Sequence, residues 1–401
     1  MLRDNCLIRE KEMAQKLDTL VRGDRKIIVV KQKWQLADFI DFPHDLYKDD
    51  SNYVPELFIA QRDLLTTHPF HKHSSLQCFL LVEGGKIAGR IAAILNNNYN
   101  AFNNAKDGFF GFFDCINDQD AANLLLDTAK EWLRNKGVTN AMIGPVNFST
   151  NESCGLLIEG FDSPPVVMMP YNASYYPSLL DGWGLKKNVD LIAWKFSGDN
   201  YNDRAVKLMD RLEDRLKRSG IIIRKIDMKN FKREVVALRE VYNKAWDKNA
   251  GFVPLNDEEF DYQAKDLKLV LDQDFCFVAE HNGQTIAFGA AIPDMNQIQI
   301  KIKKGRLLPT GLFKLLFGKK KVKGIRILLL GVVDGYRKLG IEACIYGNII
   351  KSYRAKGFQY AEAGWTLEHN HEVNNAIIAT KGIPYKKYRI YHKAIQDNTY
   401  N

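Results

Sequence analysis

Nowhere in its 401 residues does the chain carry a run of about 18 uncharged apolar residues, so no transmembrane helix is expected. An apolar N-terminal segment is also missing. Met1 to Arg25 is charged throughout, which argues against a secretory signal. Paired cysteines are absent too. Cys6, Cys78, Cys115, Cys154, Cys276 and Cys344 all stand more than four residues apart, which excludes a zinc knuckle or a vicinal redox pair. Most lie in apolar surroundings, such as Cys276 in DFCFVAE and Cys344 in EACIYG. They read as buried thiols in a reducing, cytoplasmic compartment. His68, His71 and His73 cluster in HPFHKH without a nearby acid or thiol, so a polar loop is expected there and no metal.

What is present is ordinary for a globular protein of two to three domains: 46% hydrophobic and 26% charged residues. That composition excludes a disordered, collagen-like or coiled-coil chain. The formal net charge of +9 is concentrated in one place. Lys301 to Arg326 holds ten Lys or Arg and no acidic residue, and without it the rest of the chain stands at −1. Any argument for a membrane or nucleic-acid partner rests on that stretch alone.

Local patterns divide the chain into a lead-in over residues 1–26 and two halves, 27–200 and 201–401, with the basic insertion at 301–326. In the first half IIVVKQ is a strand, and a helical region runs on to Val54-Pro55. CFLLVEGGKIAGRIAAILN is a hairpin turning at Gly84-Gly85, where a tight turn needs positive φ. GFFGFFDCIND is a strand. Asp118 caps a helix that ends at Gly137. NAMIGPV and VDLIAWKF are strands that close this half. After the polar linker Ser197 to Asp203, a helix carries Leu208, Leu212 and Leu216 on one face. The second half repeats the order: strand, helices, a hairpin turning at Asn282-Gly283, strand Ile325 to Val333, helix, strand YAEAGWTLE, short helix, and a final strand KYRIYHK.

The segment after Val332-Val333 is the informative one. A loop, Asp334-Gly335-Tyr336-Arg337-Lys338-Leu339-Gly340, opens straight into a helix. First-turn N–H groups have no intrahelical partner, and the helix dipole adds positive potential, so this geometry suits an anion. Gly340 lets the backbone approach a phosphate, and Arg337 and Lys338 supply charge from the sides.

The same segment resembles the acyl-CoA-binding signature of the GNAT superfamily of N-acyltransferases. That signature is a strand, then Gln/Arg-x-x-Gly-x-Gly/Ala, then a helix, with the coenzyme A pyrophosphate on the loop amides. Arg337 and Gly340 match it, and Glu342 replaces the final small residue. The resemblance implies that Val333, Asp334, Tyr336, Arg337, Lys338, Leu339, Gly340 and Ile341 contact acyl-CoA, the co-substrate. It adds Asn370, which follows the fifth strand at the family's distance from Gly382. The tyrosine that often acts as general acid in that helix is missing, with Ile377 or Ile378 in its place. Tyr385, Tyr388 and Tyr391 are nearby candidates.

AWDKNAGFVPLNDEEF, AAIPDMNQ, GRLLPTG, GWTLEHN and KKYRIYHK are similar to a bacterial group of two-lobed GNAT-like proteins that includes ceramide synthases. The fold implied is α/β (α+β): two tandem lobes, each a mixed, mostly antiparallel sheet flanked by helices. In such acyltransferases one lobe binds acyl-CoA and the other helps shape the acceptor site. FDCINDQDAAN, at the loop position of the first lobe, has no glycine and carries Asp114, Asp118 and Asp120, which repel phosphate. Only the second lobe is expected to bind coenzyme A.

The activity expected from the resemblance is transfer of an acyl or acetyl group from acyl-CoA to an amine, with lipid-like amines among the acceptors. The Val333 N–H is expected to polarise the thioester carbonyl beside a strand bulge. Glu368 is the first choice of base and Glu362, on the same strand and face, the second. Tyr391 is the expected proton donor to the thiolate. Trp246, Asn249, Phe252 and Pro254, with Asn147, Asn151 and Glu152, are candidates for the acceptor cleft. Competing readings are a non-catalytic acyl-CoA or lipid-binding protein and a Fem-type aminoacyl transferase. Residues 312–323 combine Leu312, Phe313, Leu315, Leu316 and Phe317 with lysines. They suit an interfacial helix on the anionic inner face of a membrane, or a lid over an acyl chain. Nucleic acid is the least favoured partner, because the aromatics do not interleave with the lysines.

Overall fold

The computed structural model describes residues 21–197, 203–246 and 252–396. In the first part of the chain the elements are β1 (Val21–Arg22), β2 (Arg25–Val29), α1 (Lys33–Leu46), α2 (Phe58–Thr66), β3 (Ser75–Glu83), β4 (Lys86–Leu95), α3 (Asn97–Asn103), β5 (Gly108–Cys115), α4 (Gln119–Asn135), β6 (Ala141–Gly144), β7 (Leu156–Glu159), α5 (Tyr176–Gly182) and β8 (Lys186–Ser197). Then follow α6 (Asp203–Arg218), β9 (Ile221–Lys225), α7 (Phe231–Trp246), α8 (Asp257–Val270), β10 (Cys276–His281), β11 (Gln284–Pro293), α9 (Asn296–Gln299) and α10 (Gly311–Gly318). The chain ends with β12 (Gly324–Val332), α11 (Ile341–Ala355), β13 (Tyr360–Leu367), α12 (His371–Ala379) and β14 (Ile383–Ala394).

Two compact units result. Strands of the first are ordered β1-β2-β3-β4-β5-β6-β14, and those of the second β8-β13-β12-β11-β10-β9. In each unit one pair is parallel, β5 with β6 and β12 with β13, amid antiparallel neighbours. The mixed α/β lobes and the repeated topology agree with the sequence reading. Both hairpins turn where expected, with positive φ at Gly84 and Gly85 and at Asn282 and Gly283.

Unit boundaries differ from the sequence-based ones in three places. Residues 191–197 of β8 pair with β13, Leu191 standing opposite Leu367, so they belong to the second unit. Residues from 388 onward belong to the first, where Tyr391 of β14 stands opposite Gly144 of β6. Residues 303–307 also fold onto the first unit: Arg306 reaches Asp41 at 2.6 Å and lies over the Phe58 ring. Alternation marks a strand but does not name its partner.

Each unit buries its own core. In the first, α4 starts on Asp118, whose side chain accepts the Ala121 N–H at 2.8 Å. Its inner face buries Leu124, Leu125, Trp132 and Leu133 against Phe79, Ile91 and Phe110. Each such side chain contributes about 1.5–3 kcal/mol. In the second, α11 buries Ile341, Ile345 and Ile349 against Phe277, Ala287 and Val332. Of the apolar face expected on α6, Leu216 is buried, Leu212 half-buried and Leu208 exposed. The described cysteines are buried free thiols, and burial pushes Cys78 and Cys276 up to about 12. Cys6 lies outside the described residues.

Candidate active site

Strands β12 and β13 part company midway. Their parallel pairing runs from Gly324 opposite Tyr360 to Ile327 opposite Ala363 and stops there, although β12 continues to Val332 and β13 to Leu367. An irregularity on each outer side lets them diverge. Between Ala290 and Ala291 of β11, β12 gains one residue, and between Ala363 and Thr366 β13 gains one relative to β8. The opened edges leave peptide groups of both strands without a partner across the gap. The Val333 N–H is not one of them, contrary to expectation: it donates to the Ile286 carbonyl at 2.9 Å. Strand alternation turns the neighbouring Val332 amide to the opened side.

Glu362 stands one residue before the pairing ends, opposite Arg326. It is wholly buried, at 0% exposure. Burial raises its carboxyl to about 7; Arg326 opposes that shift, Asp294 adds to it, and Tyr385 and Lys386 beside it oppose it. The Arg326 Nε lies 3.9 Å from Glu362 Oε1, and Nη2 of the same guanidinium donates to the Gly364 carbonyl at 3.1 Å. Asp294, Arg326 and Lys386 are themselves buried. Asp294 accepts from the Tyr360 hydroxyl at 2.5 Å, and Gln297 donates to the same hydroxyl at 2.6 Å. A carboxyl that titrates near neutrality can take a proton and return it.

The loop after β12 has the geometry of an anion site. Gly340 caps α11 in the left-handed region (φ 85°) and provides no side chain of its own. The first intrahelical bond is from Cys344 N–H to the Gly340 carbonyl, which leaves the preceding amides without helical partners. A Cβ on Gly340 would collide with the Leu212 side chain, so packing and φ both require glycine. Lys338 and Leu339 are exposed on this loop, and the Tyr336 hydroxyl is bonded to His281 Nδ1 at 2.9 Å. Arg337 is engaged: it donates to the carbonyls of Ala245 (2.9 Å) and Val332 (3.3 Å) and pairs with Asp334 at 3.2 Å. Glu342 occupies the first turn of α11. The open amides fit a diphosphate. Of the two cations expected beside it, Lys338 is exposed and Arg337 is held by the bonds just described.

The corresponding places of the first unit are filled by its own chain. Asp118 caps α4 with its carboxylate and pairs with Arg25 at 2.8 Å, so the amides open at Gly340 are taken here. Beyond the short β5–β6 pairing, Val146 N–H donates to the Phe110 carbonyl and Asn147 Oδ1 accepts from Phe112 N–H. Asp114 is buried, ion-paired with Arg90 at 2.7 Å and bonded by the Tyr47 hydroxyl at 2.9 Å. Asp114 and Asp118 thus hold the first unit together, rather than simply repelling phosphate.

Other residues singled out from the sequence have these positions. Glu368 lies past the end of β13, half-exposed, with its carbonyl accepting from Asn374 Nδ2 at 3.2 Å. The extra residue in β13 breaks the alternation that set Glu368 on the same face as Glu362. Tyr391 is wholly buried in the first unit's core, where burial raises its hydroxyl to about 12. Asn370 caps α12 by accepting the Val373 N–H at 3.3 Å, and Ile341 is buried under the loop. The histidine segment is not a polar loop. His68 is buried, its Nδ1 accepts the Phe70 N–H, and burial lowers it to about 4. No metal-binding group occurs among the described residues. Phe252 packs in a core cluster with Tyr242 and Leu255, and Asn249 lies outside the described residues. Sequence reasoning passed over Arg326, Asp294 and Lys386. The available signal was a charge embedded in an apolar strand, as in GIRILLL and PYKKYRI.

No family model matches the chain. It is 34% identical over 386 residues to the bacterial ceramide synthase of Caulobacter vibrioides, covering 93% of this chain and 98% of that protein. It is also 34% identical over 373 residues to Protein YghO of Escherichia coli, covering 90% and 94%. Among solved structures, a tandem GNAT protein from the clavulanic acid biosynthesis pathway superposes with a TM-score of 0.54 at 11% identity, over 93% of this chain and 99% of that one. The identity to bacterial ceramide synthase over nearly the whole of both chains, together with the tandem GNAT fold, shows the family: the chain belongs to the two-lobed, GNAT-fold acyltransferase family that includes bacterial ceramide synthase.

Proposed function

We propose that the chain is an acyl-CoA-dependent N-acyltransferase whose second unit carries the reaction, with Glu362 as general base. The observation that supports this most directly is a wholly buried carboxyl, raised to about 7, at the point where β12 and β13 separate. The diphosphate of the thioester lies on the amides before Ile341, and the thioester follows the opened edge of β12. The Val332 amide donates to the carbonyl oxygen as negative charge develops there. The acceptor amine attacks the carbonyl carbon, and its proton passes to Glu362, directly or through water. The C–S bond breaks, and the coenzyme A thiolate leaves and collects a proton. Tyr385 is the hydroxyl beside Glu362 in the same unit; it takes the donor role in place of Tyr391. Glu368 is the alternative base. A relative named bacterial ceramide synthase supports a long-chain amine as the acceptor class.

The test is thiol release by the full chain with acetyl-CoA and palmitoyl-CoA over a panel of short and long-chain amines. Release with one amine class, lost in Glu362→Gln, is the expected result. No release with any pair removes the reading. Thioester binding without release supports a second reading, a non-catalytic acyl-CoA-binding protein. Glu342 in the first turn and the engaged Arg337 favour that one.

A further inference from the structure

Helix α10 is amphipathic with its faces reversed. At about 100° per residue, Gly311, Leu315 and Gly318 share one face, and Leu312, Phe313, Leu316 and Phe317 span the opposite arc. The glycine face is the one that packs. Gly311 is buried, and Gly318 lies so close to Ile298 that a Cβ would meet its side chain at 2.9 Å. The large apolar side chains point to water: Phe313 is 59% exposed, Leu316 65% and Phe317 74%, with the two rings parallel at 6.4 Å. Leu308, just before the helix, is 76% exposed. A folding chain ordinarily turns such residues inward, so a contiguous exposed cluster marks a contact surface.

The charge around it is equally specific. Of the ten cations in residues 301–326, Lys304 and Arg306 pair with Asp45 and Asp41, Lys314 donates to the Lys301 carbonyl, and Arg326 is buried opposite Glu362. Lys301, Lys303, Lys319, Lys320, Lys321 and Lys323 remain exposed, the last four directly after the apolar arc. We infer that α10 and this lysine run dock on an anionic phospholipid bilayer, with Leu312, Phe313, Leu316 and Phe317 seated among the upper acyl carbons. A bilayer supplies anionic headgroups immediately above hydrocarbon, which is the order in which this surface presents its two chemistries. A nucleic acid supplies phosphate without hydrocarbon. The inference does not depend on the acyltransferase reading, because it is measured without substrate.

Flotation of the full chain decides it, using vesicles of phosphatidylcholine alone and of phosphatidylcholine and phosphatidylglycerol in equal parts. Wild type is expected to float with the anionic vesicles. Phe313→Ser with Phe317→Ser, and Lys319→Glu, Lys320→Glu, Lys321→Glu and Lys323→Glu together, are each expected to lower partitioning at least tenfold. Each lysine near the surface is worth about fivefold. A control variant, Lys207→Glu, Lys217→Glu, Lys229→Glu and Lys232→Glu, carries the same charge change at exposed sites elsewhere in the unit and is expected to float like wild type. Circular dichroism checks that each variant is folded. Equal flotation by wild type and the lysine variant, equal loss in the control, or no wild-type flotation overturns the inference. So does a stable dimer in sedimentation that the phenylalanine variant dissociates, since a second copy would then cover the surface.

Discussion

The carboxylate of Glu362 occupies the space where Gly364 has no side chain: a Cβ at Gly364 would overlap Glu362 Oε1. Arg326, which donates to the Gly364 carbonyl, ties the same peptide to the charge opposite Glu362. The position of the proposed base is therefore set by a missing methyl group. Gly364→Ala is expected to displace the carboxylate and lower kcat about 100-fold, with KM for the thioester little changed, because misplacement of a catalytic group by about 1 Å has effects of that size. Steady-state kinetics with the thioester varied separate the two parameters.

The Glu362 carboxyl, raised by burial to about 7, predicts the pH dependence. The base is active when ionised, so kcat/KM rises with pH and levels off above about 7. Glu362→Gln is expected to lose about 10²–10⁴-fold and to remove the acid limb. A limb that survives in the variant assigns the titration to another group.

The same shift has a consequence for stability. The folded pKa lies above the unfolded value, so the contribution of Glu362 is fully present below about 4.5 and is lost as pH rises through about 7. The difference in Tm between wild type and Glu362→Gln is expected to move against wild type across that window and to stay level above it. Thermal melts of both proteins at a series of pH values measure this.

Gly340 combines a positive φ with a contact that leaves no room for a side chain. Gly340→Ala is expected to cost about 1–2 kcal/mol of stability and to weaken thioester binding. Adding Leu212→Ala removes the overlap while leaving the φ penalty. Recovery in the double variant is therefore expected to be partial, and denaturation of the four proteins of the cycle tests it.

In the first unit, Asp114 neutralises the buried Arg90 and accepts from Tyr47. Asp114→Ala leaves that guanidinium buried without its partner, at an expected cost of about 3–5 kcal/mol. Hydrogen exchange is expected to rise in β3, β4 and β5, while thioester binding by the second unit in the folded protein stays near wild type. Loss of binding at unchanged exchange would show that the first unit takes part in it.

Local chemistry was readable from the sequence wherever the cause lies within a few residues. Gly84-Gly85 and Asn282-Gly283 make hairpins because their φ values suit tight turns. Asp118 starts α4, and Gly340 opens the anion loop, because a cap or its absence acts on the next turn alone. The order of elements, the repeat and the family signature follow from such units. Leu208 and the histidine segment misled, because amphipathic spacing and polarity do not record which side a neighbour covers.

The pairing of β8 with β13 and of β14 with β6 was decided by tertiary structure, as was the meeting of Glu362, Arg326, Asp294 and Lys386 from separate strands and loops. The choice of Glu362 over Glu368 comes from the same level. Both are carboxylates of one segment, and it is burial, created by residues far away in the chain, that raises Glu362 to about 7. A charge shifts when distant atoms displace its water, and a linear sequence does not specify which atoms those are.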